Sequence, residues 1–387
     1  MQSKLKVIIC FLFLAVISMV FAKEYQTKGL TSADRAMPVF FEALRAKMAF
    51  SLGWKADTKD PQSWKKAGLE KARDIMIPYQ DMTKFDMKVL DQIDRGKYIA
   101  KKVVFNVTAE SRVQALLLVP KGKGPFPAAL MLHDHGSQFV IGKEKLVETW
   151  KDDARLAESK TWAEKFFSGV YPGDELAKRG YVVLSCDALG WGDRSVEGWK
   201  TDSQQAIASN LFNLGTSYAS IIALEDTRAA KFLAELPEVN KKKVAAIGFS
   251  MGAFRAWQVA ALSDDITAAV VDCWMATMQG LMVIGNNQLK GQSAFTMLHP
   301  YIGRYLDYPD VAGLAAPKPM LVFAGEKDSL FPVESVKEAF GKMKTIWAAF
   351  GAPENLETKI WPLGHTFQKE QQNEAYKWLD IQFKKIK

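Results

Sequence analysis

The chain has 387 residues, a formal net charge of +8, 48% hydrophobic residues and three cysteines. That length suits one large α/β domain with an appended segment, or two small domains. The lysines are scattered, with only short clusters at Lys241-Lys242-Lys243 and Lys384-Lys385, so the excess reads as a solvated surface and excludes a nucleic-acid footprint.

Residues 1–22 read as a targeting segment. Lys4 and Lys6 form a basic start, Val7 to Phe21 an apolar core, and Val20-Phe21-Ala22 a cleavage-type end. The run is shorter than the roughly 20 residues of a membrane span; an uncleaved N-terminal anchor is the rival reading. Cys10 lies inside the apolar core without a small-residue lipobox before it, which argues against a lipoprotein. The mature chain is expected to be exported, periplasmic or extracellular, with no stable membrane insertion, and to keep only Cys186 and Cys273. An exported protein could pair them.

From Lys23 to about Ile93 the pattern is helical. Ser32-Ala33-Asp34 can cap a helix whose apolar face is Phe40, Phe41, Leu44, Met48 and Phe50, and a second helix is expected from Ser63 or Trp64 towards Met76. Residues 23–95 are therefore expected to form a helical arm packing on a core domain of residues 96–387. Tyr98–Val107 and Arg112–Val119 predict a hairpin. Ala128–Leu132 is a short buried strand ending in His133-Asp134-His135-Gly136. A helix stopped by Gly180 leads into the strand Tyr181–Cys186 and then Asp187, Trp191 and an expected Asp193–Arg194 loop ion pair.

A long helix over about Ala219–Leu236 feeds the apolar run Val244–Ile247, which Gly248-Phe249-Ser250-Met251-Gly252 interrupts before helix formers resume. Ile266–Val271 is a further strand, followed by Asp272-Cys273-Trp274. Residues 275–314 lack a clear period and are expected to form a lid-like insertion over the strand ends. Met320–Ala324 runs into Gly325 and Asp328, and Thr358–Trp361 into Gly364-His365. A helix rich in Gln, Glu and Lys closes the chain. Strands alternating with helices predict a mostly parallel sheet with helices on both faces.

Strand, sharp turn and helix with a serine at the apex is the context that Gly-x-Ser-x-Gly requires. The turn strains the serine backbone, and glycines two residues either side let strand and helix close. Ser250 Oγ would then stand proud of the sheet with the Met251 N–H facing a developing oxyanion. A base must come from four histidines: His133, His135, His299 and His365. Loops at the carboxyl ends of parallel strands share one crevice, so His135, His365 and Ser250 can meet there. Asp328 and Asp272 both follow strands and can each orient the base.

The order Ser250, Asp328, His365, with His135-Gly136 and Asp187 after earlier strands, resembles the α/β-hydrolase superfamily from about Tyr98 to the C-terminus. More narrowly it resembles the dienelactone-hydrolase and acetyl-xylan-esterase-like branch. The resemblance implies Ser250 as nucleophile, His365 as base, Asp328 as the orienting acid, with Asp272 as substitute, and an oxyanion hole from Met251 with Ser137 or Gln138. The strand order it implies separates Cys186 from Cys273, so two free thiols are expected.

His135, Trp191 and Trp274, with Trp199, follow strand ends and can contact a sugar, though a core role is open for each tryptophan. His133 is expected as a packed histidine. His133-Asp134-His135 has no further ligand cluster, so neither metal nor cofactor is expected.

The expected activity is that of an exported serine esterase acting on a small-molecule or oligosaccharide ester, such as acetylated xylan. Met251 stands where glucuronoyl esterases carry an arginine. The alternatives are a serine peptidase of the prolyl-oligopeptidase type, against which Ala253 and the chain length argue, and a silent hydrolase fold used for binding, which would need none of the three catalytic residue types.

Overall fold

The structure, a computed structural model, describes residues 39–283 and 295–386. The leader at 1–22, the Ser32-Ala33-Asp34 cap and residues 284–294 of the expected lid lie outside the described residues. The chain divides after Met48. The first unit contributes the helix Val39–Ala46; everything below belongs to the second.

Among its described residues the second unit has nine strands: β1 (Lys88–Asp94), β2 (Tyr98–Asn106), β3 (Arg112–Pro120), β4 (Phe126–Leu132), β5 (Val182–Cys186), β6 (Val239–Phe249), β7 (Ala268–Asp272), β8 (Met320–Gly325) and β9 (Leu356–Trp361). They form one sheet in the order β1-β2-β3-β5-β4-β6-β7-β8-β9. β1, β2 and β3 pair antiparallel, and β3 joins β5 in the same sense. From β5 to β9 every pairing is parallel. β5, β7 and β8 are buried along their whole length, as the central strands of a sheet covered on both faces must be, which is why they read as unbroken apolar runs.

β1 lies in the stretch whose sequence reads as helical, and the structure corrects that expectation. Its residues are exposed or half-exposed, so no apolar alternation marks it. Its identity comes from the ladder with β2, from Lys88 opposite Val104 to Asp94 opposite Ile99. The helix Pro61–Met76 starts two residues earlier than expected. Asp60 Oδ1 accepts from the Ser63 amide at 3.0 Å, and Pro61 fills the first helical position, where a missing N–H costs nothing. Gly68 of this helix meets Leu314, and Arg73 donates to the Leu262 carbonyl, so the helix packs on the sheet-bearing unit.

Cys186 ends β5 and Cys273 follows β7, with β4 and β6 between them; both thiols are free and buried. Among the described residues no helix is long and apolar enough to cross a membrane.

Candidate active site

β6 delivers Phe249 into the core and stops at Ser250, whose φ of 56° and ψ of −123° lie outside the usual regions for a residue with a side chain. Such a conformation costs on the order of 1–3 kcal/mol. The Ser250 amide donates to the Asp272 carbonyl at 2.9 Å, tying the turn to β7. The helix Met251–Leu262 begins at the next residue. A Cβ on Gly248 would overlap the Gly252 carbonyl, and one on Gly252 would overlap the Leu132 carbonyl of β4. The second glycine therefore serves the approach of a neighbouring strand as well as closure of the turn.

His365 sits after β9 and its ring bridges two side chains. Nε2 is 2.8 Å from Ser250 Oγ, and Nδ1 is 2.6 Å from Asp328 Oδ2. An ionised carboxylate only accepts, so Nδ1 carries the hydrogen and Nε2 is left to accept from the hydroxyl. Asp328 is buried, and its Oδ1 accepts from the Leu330 amide at 2.9 Å, which fixes the carboxylate plane. A hydrogen-bonded series of this kind can take a proton from Ser250 and return it to a leaving group.

Asp272, the other acid considered for the base, is fully buried and accepts from Gln371 Nε2 at 3.3 Å. Burial, and then the neighbouring Asp328 charge, push its carboxyl well above the usual range. Its neighbour Cys273 points its thiol at the Thr366 carbonyl, and burial and the nearby carboxylates keep that thiol protonated.

Ser250 opens into a cleft of about 250 Å³ lined by Trp162, Phe166, Trp274, Phe331 and Met297, together with Met251 and Gly136. Among the described residues no lysine or arginine lines it. Met251 is the first residue of its helix, where an amide has no intrahelical acceptor. A larger cleft of about 550 Å³, bounded by Tyr98, Tyr171 and Asp174, is lined by no serine, cysteine or histidine among the described residues.

The remaining sequence-derived candidates fall in several places. The Ser137 amide donates to His135 Nδ1 at 3.1 Å, so it is already engaged. Gln138 does not line the cleft, and its side chain donates to Glu158. His135 lines the cleft but is 6% exposed; Nε2 donates to Gln204 Oε1 at 2.7 Å, and burial pushes its pKa down to about 4. Trp274 is 1% exposed, its ring packed against Phe254, Tyr308 and Phe331, so it can form a wall but not a stacking platform for a sugar.

Trp191 is fully buried beneath the loop, with Nε1 on the His135 carbonyl at 3.2 Å, and it does not reach the cleft. The expectation that Trp191 contacts substrate is corrected. His133 is a packed histidine, donating from Nδ1 to the Asp134 carbonyl and accepting the Ala188 amide at Nε2. The expected Asp193–Arg194 pair is also corrected: Asp193 binds Lys143 and Arg155, and Arg194 binds Glu225.

Sequence reasoning missed Lys143, Glu144 and Lys145. Three consecutive charges ordinarily signal a solvated turn, yet all three are buried here. Lys143 Nζ lies 2.6 to 3.0 Å from Asp187, Asp193 and Glu144. Burial works against its charge, but the three carboxylates outweigh burial and push its pKa up. The ammonium thus supplies the positive charge that this acidic trio would otherwise draw from a cation.

Nine strands, a serine at a strained strand-to-helix turn and a histidine bridging it to a carboxylate define an α/β hydrolase. Residues 22–379 match the Abhydrolase family, and the chain belongs to it. The protein named as the hydrolase YtaP of Bacillus subtilis (strain 168) is 25% identical over 287 residues, covering 74% of this chain and 89% of that protein. Among solved structures, a Bacteroides fragilis NCTC 9343 protein described as an acetyl xylan esterase superposes with a TM-score of 0.68 at 17% identity, covering 86% of this chain and 85% of that one. The methylesterase BT1017 gives a TM-score of 0.62 at 17% identity, over 93% of this chain and 70% of that one. A glucuronoyl esterase from Solibacter usitatus gives 0.59 at 16% identity, over 83% and 92%. At these identities the solved structures establish the fold.

Proposed function

We propose that this protein is an exported serine esterase that removes short acyl groups from carbohydrate by way of an acyl-enzyme. The observation that carries the reading is the series Ser250 Oγ, His365 and Asp328, held at 2.8 and 2.6 Å and open to a cleft. Ser250 Oγ attacks the ester carbonyl while its proton moves to His365 Nε2. Asp328 keeps the ring in the tautomer that can accept it and stabilises the imidazolium. The carbonyl oxygen, now negative, is met by the Met251 amide and by a second amide from the loop after β4. Collapse of the tetrahedral adduct breaks the bond to the alcohol, which leaves with the proton from His365. Water then repeats the sequence on the acyl-enzyme and releases the acid.

The preference for a short neutral acyl group rests on the cleft: about 250 Å³, aromatic lining and, among the described residues, no lysine or arginine to hold a uronate. The Abhydrolase match supports hydrolase chemistry, and the carbohydrate-esterase names of the structural neighbours support an ester on sugar. Export rests on the leader formed by Lys4, Lys6 and the apolar run Val7 to Phe21.

Hydrolysis of p-nitrophenyl acetate against longer acyl esters, by the protein and by Ser250→Ala, tests the reading. Activity that falls with acyl length and vanishes in the variant is expected, with acetylated xylan fragments as the next substrates. Activity retained in Ser250→Ala, or no diisopropyl-fluorophosphate adduct on Ser250, would sink it.

A further inference from the structure

Two buried cations hold the carbonyls of the loop after β4: Arg255 donates to that of His133 at 3.3 Å, and Lys145 takes the next two, the second of which it shares with Trp191 Nε1. Lys145 is fully buried, and its Nζ donates to the carbonyls of Asp134 and His135 at 3.0 and 2.9 Å. It also lies 3.5 Å from Asp134 Oδ2 and 4.6 Å from the centroid of the Trp162 ring. Trp162 closes the arrangement by donating from Nε1 to Asp134 Oδ1 at 3.1 Å. The same ring covers Gly136, where a Cβ would overlap it. A buried lysine is costly unless its donors are used, and here both carbonyls that accept from it belong to this one loop segment.

Those carbonyls fix the direction of the amides. In a trans peptide the C=O and the following N–H point opposite ways. With the His135 carbonyl drawn back to Lys145, the Gly136 N–H faces away from the lysine. Gly136 lines the cleft with Ser250 and Met251, and Lys145 does not. The Gly136 amide has no acceptor among the described residues, whereas that of Ser137 is spent on His135 Nδ1.

We propose that Lys145 is the positioning residue for the second backbone donor of the Ser250 site, and that this donor is the Gly136 amide. The proposal rests on the serine-esterase reading. Lys145 touches neither substrate nor reacting atoms; it holds two successive peptide groups so that a donor stands ready where negative charge develops. The expected signature is a loss confined to the transition state. Ground-state binding depends on the cleft walls and should be spared.

The test compares wild type with Lys145→Met, which keeps length and loses the three donors. On p-nitrophenyl acetate kcat is expected to fall about 10- to 100-fold with KM within about twofold. Affinity for a trifluoromethyl ketone, whose adduct with Ser250 carries an oxyanion, should fall by a similar factor. Unchanged kcat, or a raised KM alone, overturns the proposal. Should Lys145→Met fail to fold, Lys145→Gln carries the comparison, because its amide still donates to a carbonyl without burying a charge. An intermediate kcat with a matching loss of ketone affinity is expected, and wild-type affinity in that folded variant overturns the proposal. Wild-type protein inactive on every ester, or active Ser250→Ala, defeats the esterase reading instead.

Discussion

Phe331 lies nearly parallel to the imidazole of His365, with ring centroids 6.2 Å apart and an interplanar angle of 16°. The same loop presents Asp328 to that ring, so residues 328–331 supply both the carboxylate and the surface against which the base is held. Removing the aromatic face in Phe331→Ala should widen the range of imidazole orientations and lower kcat by about tenfold, since misplacing a catalytic group by 1 Å can cost more than that. KM should rise as well, because the ring is also a cleft wall. Phe331→Leu, which keeps bulk, is expected to retain most of kcat in steady-state assays.

Asp328→Asn is expected to leave the fold intact and lower kcat by about 10³–10⁴-fold, as loss of the orienting charge does in serine hydrolases. Asp272→Asn separates the two acids. Burial and the Asp328 charge push its carboxyl towards the neutral form, which an amide matches closely in size, and it does not touch His365, so kcat should stay within about threefold. A large loss in Asp272→Asn with none in Asp328→Asn would reverse the assignment.

Two glycines placed in helices should respond oppositely to alanine. Gly252→Ala drives a methyl group into the backbone of β4, which cannot yield, and is expected to give no soluble folded protein. Gly341, in the helix Val333–Ala349, has open space around it. Gly341→Ala should stabilise by about 0.5–1 kcal/mol, the usual helix preference, as read by urea unfolding.

His135 gives the protein a pH-dependent term. Burial holds its folded pKa near 4, below the ordinary value of about 6.5. The unfolded chain therefore binds more protons between these limits. The stabilising contribution is present above about pH 6.5 and is lost as pH falls through about 4. Asp174, Asp187 and Asp307, pushed up to about 6 chiefly by burial, act in the opposite sense as pH rises from the ordinary carboxylate range. The readout is thus the difference between wild type and His135→Gln, which should shrink by up to about 3 kcal/mol between pH 7 and pH 4. A constant difference across that range would show that His135 does not titrate in this way.

What could be read from the sequence was what local pattern encodes. β4, β5, β7 and β8 are apolar runs, as is the C-terminal half of β6, and Ser250, Asp328 and His365 could be named because each lies within four residues of a strand's carboxyl end. β1 was not legible, since an exposed edge strand needs no apolar period and is defined by its partner. The charged run Lys143-Glu144-Lys145 was illegible for the converse reason. Its burial depends on Asp134, Asp187 and Asp193, which are distant in sequence. Trp191 and Trp274 both follow strand ends, and nothing local distinguishes the one under the loop from the one at the cleft wall. Ser137 was a reasonable donor by position, but the bond of its amide to the His135 ring exists only once the loop is closed.

The strained backbone at Ser250 sets the interest of the molecule against that of its activity. A glycine there would adopt the same φ and ψ without penalty, so Ser250→Gly should be inert and more stable by about 1 kcal/mol. The hydroxyl is then useful to turnover alone, and keeping it forgoes a standing gain in fold stability. In a lineage released from selection on turnover, the hydroxyl is among the first features expected to drift away, while the sheet beneath it persists.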